Sequence, residues 1–141
     1  MDDKGLSHYG ECTMVLRDKM IRHRATVFEE NSAVFVKRNL IDIENLPAGR
    51  RAVWENRSKA ALVKSASKLQ PTTEPSEYPQ ILLQDGVSSA DDIFVEVHIW
   101  GPMTIRSVEK ISIDRKKCRG NAVFKATALL SKKFDVGVMV I

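Results

Sequence analysis

The segment 91–102 constrains the fold of this chain more than any other part of the sequence. Between residues 93 and 100 β-branched and aromatic residues predominate, and aspartates on one side and Gly-Pro on the other bound the run, which predicts a β-strand. Because side chains alternate along a strand, Glu96 and His98 share one face. That face also carries two aromatic side chains, Phe94 and Trp100. A carboxylate and an imidazole between two aromatics suggest a cleft.

Length and composition predict one globular domain over residues 1–141. Apolar residues make up 43% of the chain and charged residues 28%, which argues against disorder. The net charge of +4 is scattered along the sequence, with no block of six like charges. This charge permits contact with nucleic acid or an anionic ligand without requiring it.

Cysteine and histidine spacing predicts no metal site. Cys12 and Cys118 lie far apart without a CxxC motif, and the three histidines lack the spacing of metal ligands. The favoured interpretation is two reduced thiols, with a disulfide as the alternative if the chain is exported. We find no signal peptide and no stretch approaching a membrane span. We therefore expect no membrane partner, and a location in the cytoplasm or in a target cell, delivered as part of a larger protein.

Local patterns predict an α+β fold, with a mixed sheet and two main helices. The expected helices are 50–69 and 120–134, with a shorter one at 104–110. The expected strands are 11–16, 33–36, 81–83, 93–100, 111–113 and a sheet-interior strand at 136–141, while 25–28 is a strand or a turn. A turn at 47–49 and a proline-rich surface loop at 71–79 complete the prediction.

Four short segments carry candidate chemistry. Glu96 in an apolar strand costs free energy unless it is paired or solvated, and His98 is either structural or catalytic. In 8–10, Tyr9 suits stacking on a flat ring, or simply anchors the first strand. In 22–24, Arg22 and Arg24 could clamp a phosphate, or belong to a solvated surface. Phosphate-binding glycine loops, a nucleophile elbow and HExxH are missing from the sequence.

These segments together resemble ADP-ribosyltransferase-like domains, of the kind found at the C-terminal ends of phage head-morphogenesis proteins and bacterial polymorphic toxins. The matching residues are Tyr-Gly-Glu at 9–11, Arg-Ala-Thr at 24–26, Asn-Ser at 31–32, and the strand with its Gly-Pro ending at 94–102. They cover about a quarter of the chain, in the order and rough spacing of that family. The resemblance implies a split mixed sheet around a cleft for NAD.

The resemblance also implies a role for each matching residue. Glu96 would hold the nicotinamide ribose and stabilise the oxocarbenium-like sugar as nicotinamide leaves. Arg24 would bind the NAD diphosphate, Thr26 and Ser32 would line the ribose pocket, and Tyr9 would stack near nicotinamide. The expected partner is a macromolecular target, protein or nucleic acid, and an immunity protein is a further candidate partner of such a toxin.

The sequence departs from the family two residues before Glu96. Relatives that modify arginine have a second glutamate where this chain has Phe94. The type of residue that this chain would modify therefore stays open, and a relative of the family without activity is an alternative. Two other interpretations remain. One is a small basic ribonuclease toxin that uses Glu96, His98 and His8 as acid and base. The other is a non-catalytic binding module with a basic surface.

Overall fold

The computed structural model describes residues 5–45, 52–118 and 120–141. The protein is a mixed α and β structure with two small sheets and several helices, so the α+β prediction is confirmed at this level. The strands are β1 Cys12–Leu16, β2 Ala25–Phe28, β3 Ala52–Val53, β4 Glu96–Ile99, β5 Val108–Ile113 and β6 Gly137–Val140. The helices are α1 Asp18–Ile21, α2 Ser32–Asn39, α3 Arg57–Ser65, α4 Tyr78–Leu82 and α5 Asn121–Phe134.

The chain forms two compact units. One, here called the inner unit, spans Arg22–Trp100. The other, the flanking unit, consists of the described residues that precede it, 5–21, together with Gly101–Ile141. The sequence-based expectation of a single domain over 1–141 remains a prediction. No helix in the described part of the chain is long and apolar enough to cross a membrane.

The flanking unit is built on a sheet of order β1-β5-β6, in which β5 is antiparallel to β1 and parallel to β6. Ile111 and Ile113 of β5 are completely buried, because the central strand is covered on its apolar face. Around them lies a hydrophobic core with three further buried residues, Val108, Cys118 and Val136. Partly buried side chains pack against this core: Cys12, Leu16, Ile105, and, from α5, Val123, Phe124, Leu130 and Phe134. Burial of these side chains from water is the main stabilising contribution of this unit.

The inner unit contains the second sheet, of order β3-β2-β4, with both pairings antiparallel. Val27 of the central strand β2 is 1% exposed. The register places Thr26 opposite His98, and Phe28 opposite Glu96. Residues directly opposite each other in an antiparallel pair have side chains on the same face. These four side chains therefore lie on one face of the sheet.

Two predicted strands of the inner unit are helices instead, so those predictions were wrong. Residues 33–36 belong to α2, because the Asn31 side chain accepts hydrogen bonds from the amides of Ala33 and Val34 and caps the helix. Residues 81–82 belong to α4. A capping box between Glu74 and Glu77 opens a 3-10 turn at Pro75–Glu77 that leads directly into this helix.

The long helix predicted at 50–69 is shorter than expected. Ala52–Val53 pairs with β2 instead, and α3 covers only Arg57–Ser65. The proline-rich segment 71–79 is correspondingly not a plain loop, since its second half forms the 3-10 turn and the start of α4. The predicted turn at 47–49 lies outside the described residues.

In the flanking unit the predicted helix at 104–110 was also wrong. Only Ile105–Ser107 forms a 3-10 turn, and β5 begins at Val108 because this segment pairs with β1. The last strand, β6, exists, but it is not in the sheet interior. Among the described strands it pairs only with β5, and Val138 and Val140 are 37% and 46% exposed. The helix predicted at 120–134 is confirmed as α5.

Candidate functional site

The candidate site is a cluster of three side chains in the inner unit, at the meeting of β4 with the start of α2. His98 Nε2 lies 3.0 Å from Glu96 Oε1. The backbone amide of Ser32 donates to Glu96 Oε2 at 2.5 Å, and the Ser32 hydroxyl lies 3.3 Å from His98 Nε2. Ser32 is buried, whereas the side chains of Glu96 and His98 are 27% and 30% exposed. The carboxylate and the imidazole are therefore reachable from solvent.

The start of helix α2 determines how Glu96 is held. Asn31 is the N-cap, and its side chain accepts hydrogen bonds from the amides of Ala33 and Val34. The amide of Ser32, in the same first turn, donates its hydrogen bond to Glu96 instead. A carboxylate at the N-terminus of a helix is stabilised by the helix dipole as well as by the hydrogen bond. The local sequence Asn31-Ser32 thus both begins the helix and supplies a donor to the strand β4.

The contact between Glu96 and His98 also fixes where the imidazole carries its hydrogen. An ionised carboxylate has no hydrogen to donate, so the nitrogen in contact with it, Nε2, must be the donor. Glu96 is then held by two N–H donors, one from the Ser32 backbone and one from His98. Such an arrangement presents a fixed negative charge. In this geometry His98 positions the carboxylate and does not use Nε2 as a base.

Neighbouring groups restrict the orientation of the imidazole. The Phe28 ring lies with its centroid 4.4 Å from that of His98, at an interplanar angle of 33°. This packing follows from the strand register. Thr26 of β2 lies directly opposite His98 of β4, and Phe28, two residues further along β2, is its diagonal neighbour on the same face of the sheet. The Thr26 hydroxyl is shielded from solvent and has no hydrogen-bond partner among the described residues.

Arg24 lies further along the same strand pair. Its guanidinium Nη1 donates to the backbone carbonyl of Trp100, and the Trp100 amide donates to the Arg24 carbonyl at 2.9 Å. Phe28 pairs with Glu96, and Arg24 lies four residues before Phe28. At the rise of extended chain, the backbone of Arg24 is therefore roughly 13 Å from that of Phe28. The strand pair therefore carries a positive group at one end and a negative group at the other.

Tyr9 belongs to the flanking unit. It ends a 3-10 turn, Ser7–Tyr9, and its side chain is 55% exposed. The stacking role that the resemblance implies for Tyr9 stays a prediction. Of the six residues proposed from the sequence, the inner unit contains the other five: Arg24, Thr26, Ser32, Glu96 and His98.

Sequence reasoning assigned no role to two residues that shape the site, Phe28 and Asn31. The signal for Asn31 was present, since Asn followed by Ser before an apolar run is typical of a helix N-terminus. The contact of Phe28 with His98 depends on the register of β2 and β4, which residue types alone do not fix. Several cavities of the inner unit are lined by residues other than Glu96 and His98.

Comparisons with known proteins give no match. No protein-family model, no curated protein and no solved structure is significantly similar to this chain.

Proposed function

We propose that this chain is an ADP-ribosyltransferase-like domain, in which Glu96 is the catalytic carboxylate of an NAD-dependent transfer to a macromolecular target. The observation that carries the proposal is the fixed position of the Glu96 carboxyl group, held by the Ser32 amide at 2.5 Å and by His98 at 3.0 Å. A group prepared in this way stabilises a developing positive charge without first having to reorganise. The split mixed sheet of that family is part of the proposal.

The residues of the inner unit suit the chemical groups of NAD. The Ser32 hydroxyl lies beside the Glu96–His98 pair and matches a ribose hydroxyl, and the Arg24 guanidinium matches the diphosphate. Along the strand pair, the Glu96 carboxylate is followed by the Arg24 guanidinium. In NAD, the nicotinamide ribose is likewise followed by the diphosphate, so the groups occur in matching order.

The proposed reaction breaks the bond between the nicotinamide nitrogen and the ribose carbon. Nicotinamide leaves with the bonding electron pair, and the ribose carbon becomes oxocarbenium-like. Glu96 offsets that positive charge, while His98 keeps the carboxylate oriented. The nucleophile of the target, or water, then bonds to the same carbon and releases one proton to solvent. This assignment gives Glu96 an electrostatic role and His98 a positioning role.

A second candidate function is a basic ribonuclease-type toxin. It is favoured by one observation, the 3.0 Å pairing of His98 with Glu96, since paired acid and base groups cleave phosphodiesters. The two candidates require different properties of His98. Transfer from NAD needs only an N–H donor to Glu96, whereas acid–base cleavage of RNA needs a group that exchanges protons.

The His98→Gln variant separates the two functions. A glutamine amide can still donate to Glu96 but cannot titrate. We expect the parent protein to release nicotinamide from NAD, faster in the presence of a target-containing cell extract, and the glutamine variant to keep much of that activity. His98→Ala, which lacks the donor, should lose more. Cleavage of RNA by the parent, abolished in both variants, would support the ribonuclease instead. Absence of NAD binding by calorimetry would refute the transferase.

A further inference from the structure

A cavity separate from the Glu96 cluster lies between helices α3 and α4 of the inner unit. These helices and the residue Leu69 line an open cavity of about 410 Å³. Cavities that bind small molecules are typically about 300–1,000 Å³ and mostly apolar, with a few polar groups that orient the ligand. The apolar lining consists of Ala61, Leu62, Leu69, Tyr78, Ile81 and Leu82.

Exposed apolar side chains mark this cavity as open to a ligand. Leu62 is 56% exposed and Tyr78 is 43% exposed, although large apolar side chains of this kind are usually buried. The hydroxyl of the buried residue Ser65 already donates to the Ala61 carbonyl at 2.7 Å, so it offers little to a polar ligand. The interior therefore suits an apolar body that would cover Leu62 and Tyr78.

One charged residue, Arg57, lines the cavity. Its Nη1 donates to the Trp54 carbonyl at 3.0 Å, and its guanidinium lies 4.8 Å from the centre of the Trp54 ring. These contacts hold the guanidinium in place and leave further N–H donors. Among the residues that the structure describes, Arg57 forms no ion pair, and the first turn of α3 contains no acidic residue. The cavity thus has an apolar interior and a positively charged, oriented rim.

We propose that this cavity binds a small amphipathic carboxylate, with the hydrocarbon body between α3 and α4 and the carboxylate on Arg57. A planar guanidinium binds a carboxylate through two parallel hydrogen bonds, which makes Arg57 the group that selects an acid over a neutral analogue. The site shares no lining residue with the Glu96 cluster, so the inference does not depend on the proposed function.

The experiment uses the full chain with octanoate and octan-1-ol as probes in calorimetry. The two probes share a body and differ in charge. For a ligand of about ten heavy atoms, we expect octanoate to bind with a Kd of roughly 10 µM to 1 mM. Arg57→Gln should weaken octanoate binding about tenfold or more and leave octanol unchanged. Lys64→Gln is the matched control, since it removes the same charge from α3 but does not line the cavity, and it should bind octanoate as the parent does.

Two further variants test the location of the hydrocarbon body. Ala61→Trp and Ser58→Phe each place a bulky ring in the cavity and should abolish binding of both probes. Ser58 is exposed, so its substitution should leave folding intact even if the change at Ala61 does not. Octanoate binding that survives in a folded Ser58→Phe variant would overturn the proposal. So would equal loss in Arg57→Gln and Lys64→Gln, or the absence of octanoate binding to the parent.

Discussion

Thr26 and His98 face each other across strands β2 and β4, and the buried Thr26 hydroxyl lacks a hydrogen-bond partner among the described residues. A buried, unpaired hydroxyl costs about 1–3 kcal/mol. We therefore expect Thr26→Val, which keeps the shape, to raise the free energy of unfolding by about 1 kcal/mol, measured by urea denaturation.

Thr127 provides the control for this substitution. Its buried hydroxyl lies 2.8 Å from the Val123 carbonyl and 3.1 Å from the Phe124 carbonyl. The change Thr127→Val removes a satisfied hydrogen bond, so stability should fall by about 1 kcal/mol. If both variants changed stability in the same direction, the unpaired state of the Thr26 hydroxyl would not be the cause.

Replacing Glu96 by glutamine tests the charge of the candidate site. The amide oxygen of glutamine can still accept from Ser32, so helix α2 should remain capped and the circular dichroism spectrum unchanged. Loss of one preorganised charge typically lowers a rate by roughly 10²–10³. Nicotinamide release from NAD is the measurement. A glutamine variant with wild-type turnover would exclude an electrostatic role for Glu96.

Removal of the Asn31 cap should destabilise helix α2. Asn31→Ala loses both side-chain hydrogen bonds, to the amides of Ala33 and Val34, and should cost about 0.5–2 kcal/mol. Asn31→Ser keeps a capping oxygen and serves as the matched control. Both are compared by thermal unfolding, where 1 kcal/mol corresponds to roughly 3 °C for a chain of this size. Equal Tm values for the two variants would show that the cap contributes little.

Arg24→Ala should weaken NAD binding more than Arg22→Ala does. A charge-assisted hydrogen bond to a phosphate is worth about 1.5–3 kcal/mol, so the affinity should fall roughly ten- to a hundredfold. Because Arg24 also donates to the Trp100 carbonyl, the thermal stability of each variant has to be measured beside its affinity. A drop in stability with unchanged NAD affinity would make Arg24 a structural residue only.

Cys12 should react slowly with alkylating reagents at moderately alkaline pH. Burial raises the pKa of the Cys12 thiol, with smaller contributions from Cys118 and Glu11. Since only the thiolate reacts, the midpoint of the pH–rate profile for iodoacetamide, followed by peptide mass spectrometry, should lie above the value of about 8.5 for free cysteine. A midpoint at or below that value would contradict the assignment, and Glu11→Gln should move it slightly downward.

The raised pKa of Cys12 also has a consequence for stability. The folded state holds the thiol proton more tightly than the unfolded state does. The corresponding stabilisation is fully present below the unfolded pKa and is lost as pH rises through the folded pKa. As pH rises above about 8.5, the ordinary pKa of a cysteine thiol, stability should therefore fall less in Cys12→Ser than in the parent.

Hydrophobic patterns in the sequence predicted correctly those helices and strands whose apolar residues lie on the buried face. The strand around Glu96, the first strand and α5 were all found from the sequence, because β-branched runs and an apolar helical stripe coincide there with the buried face. The shared face of Glu96 and His98 followed from strand alternation alone. Ser32 and Thr26 were identified through the resemblance, and their places beside His98 required the structure.

The errors arose where a local interaction outweighed the residue pattern. Residues 33–36 have strand-forming residue types, yet the Asn31 side chain accepts two backbone hydrogen bonds that begin a helix there. Val108 was assigned to a helix, yet pairing with Leu16 places it in a strand. Pairing between segments far apart in the chain is not encoded in the residues of either one alone. For the same reason the contact of Phe28 with His98 could not be predicted.

The pairing of β1 with β5 joins segments that the whole inner unit separates in the chain, and it bears on the order of folding. Closing a long flexible loop is entropically costly, and contacts of high sequence separation slow folding. The ends of the inner unit, however, are tied together by the two hydrogen bonds between Arg24 and Trp100. Once those bonds form, the effective loop between β1 and β5 contracts from residues 17–107 to the two short segments 17–24 and 100–107. We therefore expect the β1–β5 pairing of the flanking unit to form after the β2–β4 pairing of the inner unit.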